Sequence, residues 1–223
     1  YKFLFVSPER LKNELFLERF KQMPVNLITV DEAHCISQWG YDFRPQYLEI
    51  ASIKIFHPSV PVLALTATAT KRVCEDIQDK LEMKSPKLVQ LSFARPKLSF
   101  SVRLVENTLE KGIEVLSKIP GAAIWYVRNR QLTHQITKAL RQLGISAAPY
   151  HAGLTIADRD RAQKEWMEDQ VRVMVSTNAF GMGIDKPNVR FVVHYDLPKN
   201  IEGYYQETGR AGRDGLASEA LLL

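Results

Sequence analysis

Two neighbouring acids followed closely by a histidine are the residues of this chain best suited to chemistry. The segment Asp31-Glu32-Ala33-His34 directly follows the apolar run 25–30, which is typical of a buried strand. Open α/β sheets bind ligands at the carboxyl ends of their strands, so we expect both carboxylates at a binding edge. There Asp31 could hold Mg²⁺ while Glu32 activates a water for attack on a terminal phosphate. The alternative is an acidic pair that only caps the following helix.

A threonine-rich segment, 66–70, follows a second apolar run. Hydroxyl groups at a strand end can hydrogen-bond the acidic segment and relay movement from it. We therefore predict that Thr66 and Thr68 contact the nucleotide together with His34. The simpler alternative is a helix N-cap formed by Thr68 or Thr70, and both interpretations can hold because they use different residues.

The loop 37–47 combines aromatic rings with one arginine. These side chains are Trp39, Tyr41, Phe43, Tyr47 and Arg44. Flat rings and a guanidinium group are what unpaired nucleic-acid bases stack on. We therefore predict that this loop can contact unpaired bases. The alternative is a surface loop whose aromatic side chains pack into the first half of the chain.

Two turns in the second half of the chain could approach a phosphate or a nucleotide. The segment 150–154 is predicted to end a strand and open a helix, where backbone N–H groups can bind phosphate. His151 is our DNA-contact prediction there, although a purely structural turn fits the same residues. The segment 180–187 contains two glycines, which let backbone approach a ligand closely. In it we predict nucleotide contacts at Gly183 and at Asp185, an acceptor for a ribose hydroxyl or a neighbouring arginine.

The segment 206–213 places two arginines, Arg210 and Arg213, three residues apart. On a helix end both can project from one face. An arginine so placed can stabilise the charge that develops on a transferring phosphoryl group. A solvated basic face is the alternative, and the two glycines of the segment disfavour it because they make a poor plain helix.

Apolar runs alternate with amphipathic stretches along nearly the whole chain, which predicts an α/β fold with a mainly parallel sheet flanked by helices. The predicted strands are 2–6, 25–30, 60–65, 99–105, 122–127, 145–150, 171–176, 190–195 and 218–222. The predicted helices are 8–22, 45–56, 69–83, 107–118, 129–143, 155–168 and 200–209. A fresh series of elements after the segment 92–97 predicts two domains, 1–93 and 99–223, joined by a linker at 94–98. Because the chain begins and ends within apolar runs, we expect it to be a fragment.

The composition is that of an ordinary globular protein, with 45% hydrophobic and 25% charged residues among 223. A net charge of +5 is compatible with a polyanionic partner but does not establish one. The two cysteines, Cys35 and Cys74, form no CxxC pair, so neither zinc nor a disulfide framework is expected. No apolar run approaches the ~20 residues of a membrane helix, and no signal peptide is visible, so we expect a cytoplasmic protein without a membrane partner.

Taken together, the chain resembles the RecQ family of DNA helicases in helicase superfamily 2. Matching segments occur in order and with similar spacing at 6–11, 31–34, 37–47, 66–70, 179–187 and 206–213. The aromatic loop 37–47 is the most discriminating of them, because related RNA helicases lack it. By the resemblance, its residues Trp39, Phe43 and Arg44 would contact single-stranded DNA and couple it to hydrolysis. The segment 125–130 matches the family's pattern less closely, so Arg130 contributes little to the resemblance.

The resemblance implies two RecA-like lobes and an ATP-driven translocase that unwinds DNA in the 3′-to-5′ direction during repair and recombination. Its cofactors would be ATP and Mg²⁺, its partners single-stranded and duplex DNA, and its location the cytoplasm, associated with the nucleoid. By the same resemblance, Asp31 would bind Mg²⁺ and Glu32 would activate water. Arg213 would be the arginine finger, with Arg210 and Gln206 as neighbours of the γ-phosphate.

The family's phosphate-binding loop, G-x-x-x-x-G-K-[ST], has no counterpart in this sequence. We therefore expect a first lobe truncated at its N-terminus, with exposed apolar sheet surface and poor stability. We also expect the chain by itself to lack useful ATPase activity. Two other functions stay open: a non-catalytic nucleic-acid-binding remnant, and a helicase of the same superfamily that acts on RNA.

Overall fold

The computed structural model describes residues 2–40, 42–181 and 183–223 of the chain. These residues form two compact units, Tyr1–Leu91 and Ser92–Leu223. Parallel α/β architecture is present in both, which confirms the predicted fold class. The predicted boundaries 1–93, 94–98 and 99–223 stay predictions.

The first unit is built around a small parallel sheet of two strands. The strands are β1, Ile28–Val30, and β2, Val62–Ala64, and the α-helices are α1, Glu14–Lys21, α2, Glu49–Ile53, and α3, Lys71–Lys80. Shorter 3-10 helices cover Pro8–Lys12, Ala33–Ile36, Pro45–Leu48 and Lys54–Phe56. Thr29 pairs with Leu63 at the centre of the sheet. This pairing brings the carboxyl ends of both strands to one edge.

Local signals decide where the helices of the first unit begin. The Asn13 side chain accepts a hydrogen bond from Phe16 N–H and so caps α1, which splits the predicted helix 8–22 in two. The Thr70 hydroxyl caps α3 in the same way through Val73 N–H. The predicted helix 45–56 is likewise composite, with a short α-helix between two 3-10 helices. The spacing of apolar residues alone does not show where such a predicted helix is interrupted.

The prediction of a strand at 2–6 is wrong. Among the described residues this segment has no strand partner, and a strand requires a hydrogen-bonded neighbour. Its rings lie in solvent, with Phe3 82% and Phe5 94% exposed. Apolar patterning identified residues that favour burial, but it could not supply the neighbouring strand.

The second unit contains a six-stranded sheet whose neighbouring strands are all parallel. Its strands are β3, Leu98–Val102, β4, Ala122–Tyr126, β5, Ala147–Tyr150, β6, Val173–Ser176, β7, Val189–His194, and β8, Ser218–Leu222. Its helices are α4, Thr108–Lys118, α5, Arg130–Gln142, α6, Ile156–Met167, and α7, Ile201–Thr208. The strand order is β3-β8-β7-β4-β6-β5. All these elements occur where the periodicity predicted them, with ends that differ by a few residues.

Both faces of this sheet are covered, and its central strand β4 is buried along its whole length. Ile124 faces one hydrophobic cluster with Trp166, whereas the next residue, Trp125, faces a second cluster with Phe191. This alternation is what a strand buried on both faces requires. Gly112 of α4 allows the close packing, because a Cβ there would lie 2.5 Å from the Trp125 ring.

We predict that the first unit opens more readily than the second. Its sheet has two strands of three residues, and Leu63 and Leu65 are 43% and 44% exposed, whereas β4, β6 and β7 are almost fully buried. Amide hydrogen exchange of the 223-residue chain should therefore be at least about tenfold faster in β1 and β2 than in β4 and β6. Uniformly strong protection across residues 2–91 would contradict this prediction.

Candidate functional site

The acidic segment and the threonine segment meet at the carboxyl edge of the two-stranded sheet. Beyond the strands the ladder continues: Leu65 N–H donates to Val30 O at 2.8 Å, and Ala33 N–H donates to Leu65 O at 2.9 Å. These two bonds fix Asp31 and Glu32 beside Thr66. The structure thus brings together residues that lie more than thirty positions apart in the sequence.

Glu32 has an unusual backbone conformation, with φ at 49°, in the left-handed region. A residue with a Cβ pays a strain of ~1–3 kcal/mol there, and such residues persist only where their surroundings hold them. The turn is held by Glu32 N–H, which donates to Asp31 Oδ1 at 2.9 Å. As a result the Asp31 side chain is exposed at the edge, while Glu32 turns back towards the protein and is half-buried.

His34 links the acidic segment to the threonine segment. Its Nδ1 lies 3.0 Å from Thr66 Oγ1 and 3.4 Å from Glu32 Oε2, and the side chain is 1% exposed. Burial lowers the pKa of His34, so the ring is neutral at neutral pH. With its proton on Nδ1, the ring donates towards both oxygens. Thr66 Oγ1 also accepts from Thr68 N–H at 3.3 Å, which extends the network to the second predicted threonine.

The aromatic loop is tied to the acidic segment through its backbone. Arg44 N–H donates to Cys35 O at 2.8 Å, and the Arg44 guanidinium bonds Asp42 Oδ2 through Nε at 3.0 Å and Nη2 at 2.6 Å. The Asp42 carboxylate raises the pKa of Arg44. At Gly40 a Cβ would lie 2.4 Å from His34 O, so this close approach requires glycine. A change in the turn at His34 therefore reaches the loop directly.

The aromatic side chains of the loop divide into an exposed group and a packed group. Trp39 is 60% exposed, and the guanidinium carbon of Arg72 in α3 lies 3.3 Å from the centre of its ring. Tyr47 instead packs against the core of the first unit, and burial raises its pKa to about 12. Phe43 is half-buried, and Tyr41 lies outside the described residues. The packed alternative thus describes Tyr47, whereas Trp39 presents a ring to solvent.

The second unit brings its two predicted arginines to one segment. Arg210 Nη1 donates to Gly181 O at 2.6 Å, and Arg213 Nη1 donates to Asp185 Oδ1 at 2.7 Å. Because α7 ends at Thr208, the arginines lie in the turn beyond the helix and not on a helical face as predicted. A Cβ at Gly181 would lie 2.5 Å from Arg210 Nη2, so glycine leaves room for the guanidinium group in this position.

The remaining residues of this segment are placed as follows. Gly183 has a φ of 77°, a conformation that glycine adopts without strain, and a Cβ there would meet no neighbour within 4 Å. Met182 lies outside the described residues. Gln206 lies half-buried in the last turn of α7, one helical turn before Arg210. Asp185 is exposed and uses one oxygen for Arg213.

Sequence reasoning missed a buried pair behind these arginines. His194 ends β7, and its Nε2 lies 2.8 Å from Glu207 Oε2 in α7. The imidazole also packs between the rings of Tyr126 and Tyr204, with centroids at 5.2 and 4.9 Å. This pair fixes α7 against the sheet and therefore the turn that carries Arg210. The sequence feature that could have revealed this pair is a histidine at the end of a mainly apolar run.

A second missed residue, Lys186, anchors the segment that bears Asp185. Its ammonium group is buried, with the side chain 3% exposed, and pairs with Asp169 at 2.8 Å. It also donates to Met167 O at 3.0 Å, at the carboxyl end of α6, where a cation is favoured by the helix dipole. The pairing with Lys186 lowers the pKa of Asp169.

His151 forms a cluster with α5. Gly153 N–H donates to His151 Nδ1 at 3.1 Å, so a neutral His151 carries its proton on Nε2 and donates it to His134 Nε2 at 2.9 Å. Burial lowers the pKa of His151, and His134 and Arg130 add to the effect. One backbone N–H that was predicted to be available for phosphate is thus already used within the turn.

Asp31 is a residue that could hold a magnesium ion. Within 2–40, 42–181 and 183–223, no group of three or more His, Cys, Asp or Glu residues could form a metal cage. Mg²⁺ rarely needs such a cage, because it is usually held by one or two carboxylates together with phosphates and waters. An exposed carboxylate at a strand end fits a magnesium ion that arrives with a nucleotide.

Comparison with known proteins identifies the class of protein to which this fold belongs. The model of the DEAD/DEAH box helicase family matches residues 1–77, and that of the helicase conserved C-terminal domain matches residues 104–215. The fold is therefore that of a helicase core.

Relatives narrow the class to one family. "ATP-dependent DNA helicase RecQ" of Pasteurella multocida is 45% identical over 222 residues, which cover 99% of this chain and 35% of the relative. The protein of the same name from Haemophilus influenzae is also 45% identical, covering 99% of this chain and 36% of the relative. The chain belongs to the RecQ family of helicases. It spans about a third of the length of these relatives.

Solved structures support the fold alone, because their sequences have diverged further. Saccharomyces cerevisiae Dbp5 bound to RNA and ADP BeF3 has a TM-score of 0.70 at 23% identity, covering 93% of this chain and 56% of that chain. Mycobacterium smegmatis Lhr bound to single-stranded DNA and AMP-PNP has a TM-score of 0.74 at 20% identity, covering 96% of this chain and 31% of that chain. Among the described residues, no helix is long and apolar enough to span a membrane.

Proposed function

We propose that this chain is the motor part of an ATP-dependent DNA helicase that moves in the 3′-to-5′ direction along single-stranded DNA and unwinds duplex DNA. The observation that carries the proposal is the joined network of Glu32, His34 and Thr66 in a chain whose relatives are named ATP-dependent DNA helicases. Such a network connects a carboxylate suited to hydrolysis with a second segment that can move. A role in DNA repair and recombination belongs to the same proposal.

In the first unit, the roles follow from exposure and contact. The exposed Asp31 carboxylate would hold Mg²⁺, which supplies charge neutralisation for the phosphates when bound. Glu32 would orient and deprotonate the attacking water. The neutral His34 ring would report the state of Glu32 to Thr66, because its Nδ1 faces both oxygens.

In the second unit, the two arginines supply positive charge. Arg213 would stabilise the charge that develops on the transferring phosphoryl group, and Arg210 and Gln206 would contact its oxygens. Asp185 holds Arg213 in an ion pair that is exposed and therefore easily exchanged for a phosphate. Gly183 leaves open space beside Asp185 for a nucleotide, since no atom lies within 4 Å of a Cβ built there.

The aromatic loop would couple DNA to hydrolysis. Trp39 offers a ring for a base to stack on, and Arg44 ties the loop to the backbone that follows His34. Phe43 would add a second ring and His151 a separate contact with DNA in the second unit. A stacked base would therefore act on the turn that holds Glu32.

The coupling can be tested in a chimera in which residues 1–223 replace the matching segment of the Pasteurella multocida relative. Trp39→Ala should leave turnover without DNA unchanged. It should raise the single-stranded DNA concentration for half-maximal stimulation about 5- to 150-fold, because one stacked base is worth ~1–3 kcal/mol. Steady-state Mg-ATP turnover as a function of DNA concentration measures this.

The matched control is Ile55→Ala, which removes another exposed apolar side chain of the first unit. Unchanged stimulation in the Trp39→Ala chimera would refute the coupling role. Further measurements on the chimera separate the two alternative functions, an RNA-directed helicase and a nucleic-acid-binding remnant. Stronger stimulation by RNA than by DNA would favour an RNA-directed helicase, and salt-dependent DNA binding without any effect of ATP would favour a binding remnant.

A further inference from the structure

One helix of the second unit carries a row of basic residues that has no acidic residue beside it on the same helix. Arg130, His134, Lys138 and Arg141 recur along α5 at intervals of three or four residues, so they share one face of the helix. From Arg130 to Arg141 the row is ~16 Å long at 1.5 Å per residue. The opposite side of α5 packs on the sheet through Ile136 and Leu140. The row therefore faces outwards along a rigid element.

The pairing of charges on α5 differs from that on the other helices. Helices α1, α3, α4 and α6 each have a lysine or arginine in an ion pair with an acid three or four positions away. On α5 no acid is available, and within the part of the chain that the structure describes none of Arg130, Lys138 and Arg141 has an ion-pair partner. The stretch 115–157 contains no aspartate or glutamate at all. The positive charge of this face is therefore not neutralised by acidic side chains of the same helix.

A shallow cavity runs beside the row. It has a volume of about 380 Å³ and is lined by His134, Thr137, Lys138, Arg141, Gln142 and Pro149. Pro149 lies in the edge strand β5 and has no N–H, so this edge is a poor template for an added β-strand. The Arg141 side chain is oriented by a hydrogen bond, because its Nε donates to the backbone oxygen of Ala147 at 2.8 Å. Apart from Pro149, the residues that line the cavity all carry polar or cationic end groups.

We propose that the outward face of α5 binds the phosphate backbone of duplex DNA. Arg130, Lys138 and Arg141 lie along one straight helix face and complement the regular charges of a duplex, which carries one phosphate per ~3.4 Å of each strand. A single strand is a poorer fit, because such sites add aromatic rings for stacking and α5 has none. The row begins at Arg130 and His134, beside His151, so it continues the DNA contact proposed above. This inference rests on the proposed function for its choice of nucleic acid.

The test measures binding of a short labelled duplex to the 223-residue chain by fluorescence anisotropy between about 50 and about 200 mM salt. The slope of log K against log salt is negative. Lys138→Ala and Arg130→Ala should each reduce its magnitude by about 0.9, and the double variant by about twice that. Lys164→Ala is the matched control, because Lys164 is equally exposed on α6 but pairs with Glu168. Lys138→Glu should weaken binding further than Lys138→Ala.

Two results would overturn the proposal: no duplex binding by the wild-type chain, or slopes in the Lys138 and Arg130 variants that equal that of the control. Thermal melting of each variant excludes loss of fold as the cause of a change, because Lys138 and Arg130 are both exposed. Failure here is distinguishable from failure of the proposed function, since DNA-stimulated turnover and its dependence on Trp39 are measured separately in the chimera.

Discussion

Replacing Glu32 with glutamine is expected to reduce Mg-ATP turnover of the chimera about 10²- to 10⁴-fold, the usual contribution of a general base. Glutamine keeps the size of the side chain and can still accept a hydrogen bond from His34, but it cannot take a proton from water. Binding of ATP should be retained because Asp31 and the arginines are unchanged. Turnover and fluorescent-nucleotide binding, measured on the same preparation, give both quantities.

The control for this substitution is Glu18→Gln, which removes an exposed carboxylate of α1 that pairs with Lys21. It should leave turnover unchanged. Turnover by Glu32→Gln within a few-fold of the unsubstituted chimera would contradict the assignment of the base. In that case the left-handed conformation of Glu32 would be a feature of the turn and not of the chemistry.

Replacing Arg213 with alanine is expected to have an effect of similar or greater size, with a loss of about 10³- to 10⁵-fold in turnover. The physical reason is that a guanidinium group brings charge and two parallel donors to the transferring phosphoryl group. Arg213→Lys should recover only part of the loss, because an ammonium group lacks the planar fork. Single-turnover hydrolysis separates this loss from any change in nucleotide binding.

Arg161→Ala serves as the control for Arg213, since Arg161 is exposed on α6 and pairs with Asp158. A loss of less than about tenfold in Arg213→Ala would show that Arg213 serves the Asp185 pair alone. Arg210 would then be the better candidate, because it is held against Gly181 O beside the same segment.

The fold was predictable from the sequence because hydrophobic period and length are strong signals in buried parallel sheets. The strands β4 and β6 are almost continuous apolar runs, and capping residues such as Thr155 mark where helices begin. The segment 2–6 shows the limit of that reasoning. Its composition favours a strand, yet a strand depends on a neighbour that apolar patterning cannot supply.

The position of some candidate residues in the fold was predictable, but their supporting contacts were not. Asp31 and Thr66 follow apolar runs, so their meeting at one edge follows from the rules of parallel sheets. The cation over Trp39 comes from Arg72 on a separate helix, and no local pattern connects the two. The buried ammonium group of Lys186 was hidden in the same way, because its partner Asp169 lies beyond α6.

The measurement that tests the central claim most directly is strand separation by the chimera with two tailed duplexes, one bearing a 3′ and one a 5′ single-stranded tail. The account predicts Mg-ATP-dependent unwinding of the 3′-tailed duplex and little of the 5′-tailed one, both lost in Glu32→Gln. The 223-residue chain alone, assayed in parallel, should turn over no ATP, because its sequence contains no G-x-x-x-x-G-K-[ST] segment. A folded chimera that binds DNA and ATP but unwinds neither duplex would contradict the account.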